Sequence, residues 1–225
     1  MTPNLPPDIH PPAFTILAEQ TWATYRRIHC GYRHTAPPPL PPNPPILFSQ
    51  HDPQWADLHL GTSPETITTA GCAVTAAAML ASTIDHDLNP ATFTAWLNKN
   101  QGFTSGGLLR WNKVAEHVPG LEFIDYHLWR NAPADVDKLR SLLDYGPQIV
   151  QVDYHPGGPL NTHFLLATAF ITGTATNPDD LATIDPFTGK TGTLLTTYAG
   201  TGWNLARAVY AIAEYRTLQS PTAES

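Results

Sequence analysis

Cysteine is scarce in this chain, which contains only Cys30 and Cys72. Two thiols in a chain of this length do not make the disulfide framework that stabilises small secreted domains. The sequence also has no Cys-x-x-Cys pair and no His-Glu-x-x-His motif, which excludes the zinc sites built on those spacings. We therefore expect free thiols and no metal or other cofactor.

Long apolar runs are missing as well. No stretch approaches the roughly 18 consecutive apolar residues of a membrane span, and the first residues lack the basic and hydrophobic regions of a signal peptide. The expected location is therefore the cytoplasm of the producing cell, or a larger particle that carries the protein.

Basic residues are few. Lys and Arg number 12 against 19 Asp and Glu, which gives a formal net charge of -7. This balance argues against a phosphate-binding surface for nucleic acid and against adhesion to anionic membranes. We expect neither nucleic acid nor a membrane as a partner.

Core-forming residues, in contrast, are plentiful. The chain has 225 residues, of which 42% are apolar and only 14% are charged. This composition is typical of a folded domain with a packed interior and differs from the charge-rich composition of disordered chains.

Proline is concentrated near the start, where 12 of the 23 prolines lie in the first 45 residues. The densest run, 37–45, predicts a stiff, extended spacer. Apolar residues at three- and four-residue steps predict an amphipathic helix over 13–29. That helix either packs on the main domain or on a copy of itself, or it is a docking element for a partner. We divide the chain into this segment (1–45), a main domain (46–217) and a tail (218–225).

Hydrophobic periodicity, with glycine or proline at the boundaries, predicts the elements of the main domain. The predicted helices are 72–83, 91–98, 108–117 and 134–144. The predicted strands are 148–154, 163–171, 181–185, 192–197 and 208–215. Helices followed by a mainly antiparallel sheet constitute an α+β order, with the helical N-terminal half packed on the sheet.

Three residues at the ends of these elements have the chemistry of a nucleophilic site. Cys72 follows Gly71 at a predicted helix start, where the helix dipole and a nearby imidazolium favour the thiolate. His163 opens an apolar strand and is a candidate base, while Asp185 ends another strand and is a candidate to orient the imidazole. Each also has a structural interpretation: a small buried thiol, a core histidine and an aspartate that opens a turn.

Several motifs carry a family resemblance. The segment 50–80, "QHDPQWADLHLGTSPETITTAGCAVTAAAML", resembles the nucleophile region of the papain-like cysteine peptidases related to bacteriocin-leader peptidases, in a stand-alone branch. Four later motifs resemble the same family in the same order: "GGLLRW" at 106–111, "GPQIVQVDY" at 146–154, "HFLLAT" at 163–168 and "IDPFTG" at 184–189.

The resemblance implies a papain-like fold in which Cys72 is the nucleophile, His163 the base and Asp185 the orienting residue. It also implies that Gln50 donates a hydrogen bond to the oxyanion, because a neutral amide can aim an N–H at a developing charge; the alternative for Gln50 is a polar residue at a strand end. Asp52 is expected to cap a turn, and Trp55 to lie in the core or the cleft wall.

The function that follows is a cysteine peptidase or amidase that cleaves peptide bonds through a thioester. Its substrate is expected to be a peptide. Cell-wall peptides are favoured over leader peptides, because the chain lacks the membrane spans and the Gly-x-x-x-x-Gly-Lys loop of leader-processing exporters. Two alternatives stay open: a catalytically silent papain-like binding or assembly protein, and an acyltransferase that uses the same thioester.

Overall fold

The computed structural model describes residues 41–129 and 131–218. The predicted helix 13–29, residues 37–40 of the proline-rich run and residues 219–225 of the tail lie outside these ranges. Within them the fold combines helices with a single antiparallel, open sheet. The prediction of helices packed with a mainly antiparallel sheet is therefore confirmed.

The described residues contain short helices and six strands. The helices are α1 (Ile67–Ala70), α2 (Cys72–Ser82), α3 (Pro90–Lys99), α4 (Asn112–His117), α5 (Val136–Leu143), α6 (Leu194–Tyr198) and α7 (Leu205–Ala208). The strands are β1 (Leu121–Leu128), β2 (Gln148–Asp153), β3 (Thr162–Ile171), β4 (Asp180–Asp185), β5 (Lys190–Thr193) and β6 (Val209–Thr217). Among these residues we find no helix with the length and apolarity that a membrane crossing requires.

The strands are arranged in the order β1-β6-β2-β3-β4-β5, and every neighbouring pair is antiparallel. Because side chains alternate along a strand, both faces of the sheet bury apolar residues. One face packs against α2 through Ile149, Leu166, Ile184, Ala213 and Tyr215. The other face packs against α5, α6 and α7 through Val150, Val152, Leu165, Ala167, Leu181 and Ile212. The central strands β2 and β3 therefore lie between two cores.

Helix α2 is the central helix of the first core. Its residues from Val74 to Ser82 are all buried, and four of these buried side chains are alanine methyl groups, at 76, 77, 78 and 81. Small side chains allow the helix axis to lie close to the sheet, and alanine has the highest helix propensity. Ser82 Oγ accepts a hydrogen bond from Ile46 N at 2.9 Å, and Asn43 N donates to Thr83 O at 3.1 Å. The described end of the proline-rich run thus contacts the end of α2.

Two predicted elements are wrong in part. The helix predicted over 108–117 begins only at Asn112, because Gly107 has a φ of +78° and Thr104 N bonds Leu108 O at 2.9 Å, which closes a hairpin there. The strand predicted over 192–197 ends at Thr193 and continues as α6, because Leu194 and Tyr198, four residues apart, are both buried on one helix face.

Strand β1 was not predicted. Its register against β6 shifts between Phe123 and Asp125, which interrupts the alternation of apolar and polar residues that marks a strand in sequence. Strand β1 forms one edge of the sheet, although it precedes the central strands in the chain.

Candidate active site

Cys72 is the first residue of α2 and is half-buried. The preceding Gly71 separates it from the single turn of α1, and a Cβ at position 71 would lie 2.3 Å from Ile67 O. Only glycine fits at this position between the two helices. Its small size allows α2 to begin directly after α1, at Cys72. The first N–H groups of a helix lack intrahelical acceptors and its dipole favours negative charge there. The thiol is therefore placed where an anionic sulfur is stabilised.

His163 is the second residue of β3, and its side chain is buried. Its Nε2 lies 2.9 Å from Oδ1 of Asp185, the last residue of the neighbouring strand β4. Cys72 lies close enough to the ring to raise its pKa, and both side chains line one cleft. Since Nε2 is taken by the carboxylate, Nδ1 is the nitrogen left for the sulfur. The structure thus brings together all three residues that the sequence predicts as a nucleophilic set.

Asp185 is held by three donors besides His163. Its Oδ1 accepts from Phe187 N at 2.8 Å, and its Oδ2 accepts from Thr188 Oγ1 at 3.2 Å and from Tyr198 OH at 2.9 Å. Burial by itself would raise the pKa of Asp185, but the hydrogen bonds from His163 and Phe187 and the charge of the imidazolium lower it below its ordinary value. The carboxylate is therefore ionised and fixed in orientation.

Asp185 and Cys72 shift the pKa of the His163 imidazole. Burial by itself would lower the pKa of His163, but the hydrogen bonds with Asp185 and Cys72 and the charges of both partners raise it to about 9. His163 is therefore a cation at neutral pH. Tyr154 and Tyr198 enclose the ring, with both ring centroids 5.3 Å from that of His163. These aromatic side chains keep water away from the His163 and Asp185 pair.

A cleft of 660 Å³ opens beside these residues. Its walls come from the start of α2, the hairpin 103–109, the strands β2 and β3, and Phe187. Among the described residues that line it, none is Asp, Glu, Lys or Arg. Although the whole chain is acidic, the described lining of the cleft has no carboxylate, and it contains the imidazolium of His163.

Gln50 lines the same cleft and is buried. Its Nε2 donates to Thr68 O at 3.0 Å, which leaves its second N–H for another acceptor. Its backbone N donates to Pro186 O at 2.7 Å and so ties it to the residue that follows Asp185. The structure thus places Gln50 in the same cleft as Cys72 and His163.

Asp52 and Trp55, which follow Gln50 in the chain, have the structural roles expected from the sequence. Asp52 Oδ1 accepts from Gln54 N at 2.9 Å, which caps a turn. Trp55 is buried in the core against Phe48 and donates from Nε1 to Ser49 O at 2.7 Å. Both interactions stabilise the segment that carries Gln50.

Sequence reasoning missed Tyr198, Tyr154 and Gln151, all of which lie at the site. Tyr154 and Gln151 lie in the predicted strand 148–154, but alternation puts positions three apart on opposite faces, so this pattern did not predict that both line the cleft. No signal existed for Tyr198 either, because its contact with Asp185 depends on the helix α6. The described residues contain no group of three or more His, Cys, Asp or Glu side chains arranged to bind a metal ion.

Comparison with known proteins adds no relative: no protein-family model, no curated protein and no solved structure matches the chain. The family resemblance of its motifs therefore stays a prediction, and the functional interpretation depends on the geometry of the site.

Proposed function

We propose that this protein is a papain-like cysteine peptidase or amidase that hydrolyses peptide bonds through Cys72, His163 and Asp185. The observation that carries the proposal is the position of the imidazole, which hydrogen-bonds a buried carboxylate through Nε2 and contacts the helix-start thiol in a cleft. A base between a nucleophile and an orienting group is the arrangement that activates a covalent catalyst.

In the first half of the reaction, Cys72 Sγ attacks the carbonyl carbon of the scissile bond as a thiolate, and the carbonyl oxygen becomes an oxyanion. His163 then donates its Nδ1 proton to the leaving nitrogen, so that the C–N bond breaks and an amine departs. A thioester joins the acyl group to Cys72. The raised pKa of His163, about 9, favours this step because it keeps the proton on the imidazole until the amine needs it.

The oxyanion is stabilised by two kinds of donor in this proposal. One is the second N–H of Gln50, and the other is the backbone N–H of Cys72 at the start of α2, where N–H groups lack intrahelical acceptors. Donors held in place before the reaction do not have to reorganise when charge develops.

In the second half, the now neutral His163 removes a proton from water, and the resulting hydroxide attacks the thioester carbon. The C–S bond breaks, a carboxylic acid leaves, and the thiolate and imidazolium are restored. Asp185 stays ionised throughout and stabilises the imidazolium in one orientation. Peptides, including those of cell walls, are the substrate class we propose, and a cleft of 660 Å³ accommodates a segment of a few residues.

The decisive experiment measures the reactivity of the two thiols. We expect iodoacetamide near neutral pH to alkylate Cys72 much faster than Cys30, as read by peptide mass spectrometry. His163→Ala should remove the difference, because the imidazolium that stabilises the thiolate is lost. Asp179→Asn removes a surface carboxylate that pairs with Arg140 at 3.1 Å and serves as the control variant. Equal alkylation of the two thiols in the wild type would contradict the proposal.

Hydrolysis is tested with purified cell walls and a peptide library, with Cys72→Ala as the inactive control. Product analysis with an added amine distinguishes hydrolysis from acyl transfer. A selectively reactive Cys72 with no cleaved or transferred product would instead favour the binding or assembly protein.

A further inference from the structure

Gln151 is a second amide in the candidate cleft. It lies on β2, opposite Phe164 of β3 and Ala211 of β6, and only 4% of its surface is exposed. Its side chain lines the cleft that contains Cys72 and His163. The inference that follows rests on the proposed peptidase function, because it concerns what that cleft selects.

The carboxamide oxygen of Gln151 is withdrawn from solvent and has no hydrogen-bond partner in residues 41–129 and 131–218. Gln148, three residues earlier on the same strand, shows the contrast: its Nε2 donates to Leu142 O, Gly146 O and Tyr215 O, and its Oε1 accepts from Tyr215 N at 2.8 Å. A buried amide without partners destabilises a fold. The oxygen of Gln50, the other glutamine of the cleft, is also buried without a partner in the part of the chain that the structure describes. Amide oxygens left unpaired along a cleft are explained best by a ligand that pairs with them.

The residues around Gln151 indicate the chemical class of this ligand. Phe164 lies opposite it, and Trp111 contacts Phe164 with ring centroids 5.2 Å apart. Trp111 also stacks on Tyr126 at 5.6 Å with an angle of 10° between the rings. Aromatic faces favour flat groups. The described lining has no Asp, Glu, Lys or Arg, and the imidazolium of His163 is already paired with Asp185, so a charged side chain would lose water without gaining a free counter-ion.

We propose that Gln151 is a specificity-determining residue that selects substrate peptides with a neutral carboxamide side chain, asparagine or glutamine, next to the cleaved bond. A carboxamide offers one acceptor and two N–H donors in a plane, so two such groups pair with each other. The terminal torsion of glutamine is broad and roughly twofold, so Gln151 can turn either its oxygen or its nitrogen to the bound group. Aliphatic side chains are rejected because they leave Gln151 unpaired, and charged side chains because the cleft offers them no free counter-ion.

The test uses internally quenched peptides in which each position next to the scissile bond is in turn Gln, Asn, Glu, Lys, Leu or Met. We expect the wild type to cleave the Gln and Asn peptides at least about tenfold faster, as kcat/KM, than the others at one position. Gln151→Met keeps the length of the side chain but removes the amide, and should lose the advantage of Gln while gaining on Leu and Met.

The matched control is Gln50→Met, the same substitution at the other cleft amide. Because Gln50 acts on the oxyanion in the proposed mechanism, this variant should slow all peptides by a similar factor and leave their order unchanged. Thermal unfolding confirms that both variants fold, and Gln151→Leu replaces Gln151→Met if the latter does not. Cleavage of all peptides at similar rates, or an unchanged order in Gln151→Met, overturns the inference.

A binding measurement distinguishes failure of the proposed hydrolysis from failure of the proposed selectivity. If no peptide is cleaved, the same peptides are added during iodoacetamide alkylation of Cys72. Stronger protection by Gln and Asn peptides in the wild type, lost in Gln151→Met, supports the selectivity without hydrolysis. Equal protection by all peptides, or none, overturns it.

Discussion

His163 is the central ionisable group of the site, because Asp185 and Cys72 both act on its imidazole. Burial alone would make a neutral imidazole, and the carboxylate and the sulfur reverse that effect. The imidazolium proton is thus held on a buried side chain. In the proposed reaction this is the proton that the leaving amine receives.

We predict that Asp185→Asn lowers the pKa of His163 from about 9 by ~1 unit or more, because the effect of burial is then no longer offset by a carboxylate. Titration of the His163 ring signals by NMR measures this directly, without any assay of activity. Tyr198→Phe removes one hydrogen bond to Asp185 but keeps its charge, so the pKa of His163 should change much less. Asp179→Asn is the control, and an unchanged titration of His163 in Asp185→Asn would contradict the assignment.

Sequence reasoning could identify Cys72, His163 and Asp185 because each stands at the end of a well-defined element. Element ends at one edge of a sheet meet in space, so residue types of matching chemistry at those ends predict a site. Tyr198 carried no such signal: it lies 13 residues from Asp185, in a threonine-rich segment whose composition favours a strand. Its role depends on the turn of α6 that the burial of Leu194 and Tyr198 produces.

At the scale of elements, a regular apolar pattern rather than length made an element predictable. The observed bounds of α2, β2, β3 and β4 each differ from the predicted ones by one residue, whereas β1, which is longer than β2 and β4 but has a register shift, was missed. The hairpin 103–109 was predicted in part as helix, because its leucines belong to a periodic pattern that continues into α4. The left-handed backbone of Gly107 makes this segment a hairpin instead of a helix, and hydrophobic periodicity does not reveal that conformation.

This hairpin forms one wall of the cleft, so its glycines provide a test. Gly107 has a φ of +78°, and a Cβ there would lie 3.0 Å from Ser63 Oγ. We predict that Gly107→Ala costs about 1–3 kcal/mol of stability, or moves the hairpin and raises KM for peptides more than it lowers kcat. Chemical denaturation and steady-state kinetics measure the two effects.

The neighbouring glycine is the matched control. Gly106 lacks a left-handed backbone, and the nearest atom to a Cβ there is Thr104 Oγ1 at 4.0 Å. Gly106→Ala should therefore unfold at the same denaturant concentration as the wild type, or slightly higher, with unchanged KM. Equal behaviour of the two variants would show that the hairpin does not depend on the conformation of Gly107.

At the scale of the whole molecule, a few buried ionisable groups set the response to pH. Glu214 is buried on β6; burial would raise its pKa, but hydrogen bonds from His127 and Arg216 lower it. His117 stacks on Phe93 and Trp96, and burial lowers its pKa although Asp85 opposes the effect. These groups lie far apart in sequence, so their combined effect follows only from the fold.

The signs of these shifts predict where the protein is most stable. The raised pKa of His163 adds stability that is fully present below 6.5, its unfolded value, and is lost as the pH rises towards about 9. The lowered pKa of His117 means that the unfolded chain protonates first, so stability falls as the pH drops below 6.5. Asp185 and Glu214 stabilise above their unfolded values and lose this effect in more acidic solution.

We therefore expect the midpoint of thermal unfolding to be highest close to pH 6.5, as measured by calorimetry across the pH range. His163→Gln should flatten the decline on the alkaline side, and His117→Gln the first decline on the acid side, because each removes the group that titrates there. The same substitution at the exposed His86 should change neither slope. A wild-type midpoint that continues to rise between pH 7 and 9 would mean that His163 is not held as a cation in the fold, and the proton storage proposed for the reaction would then be lost with it.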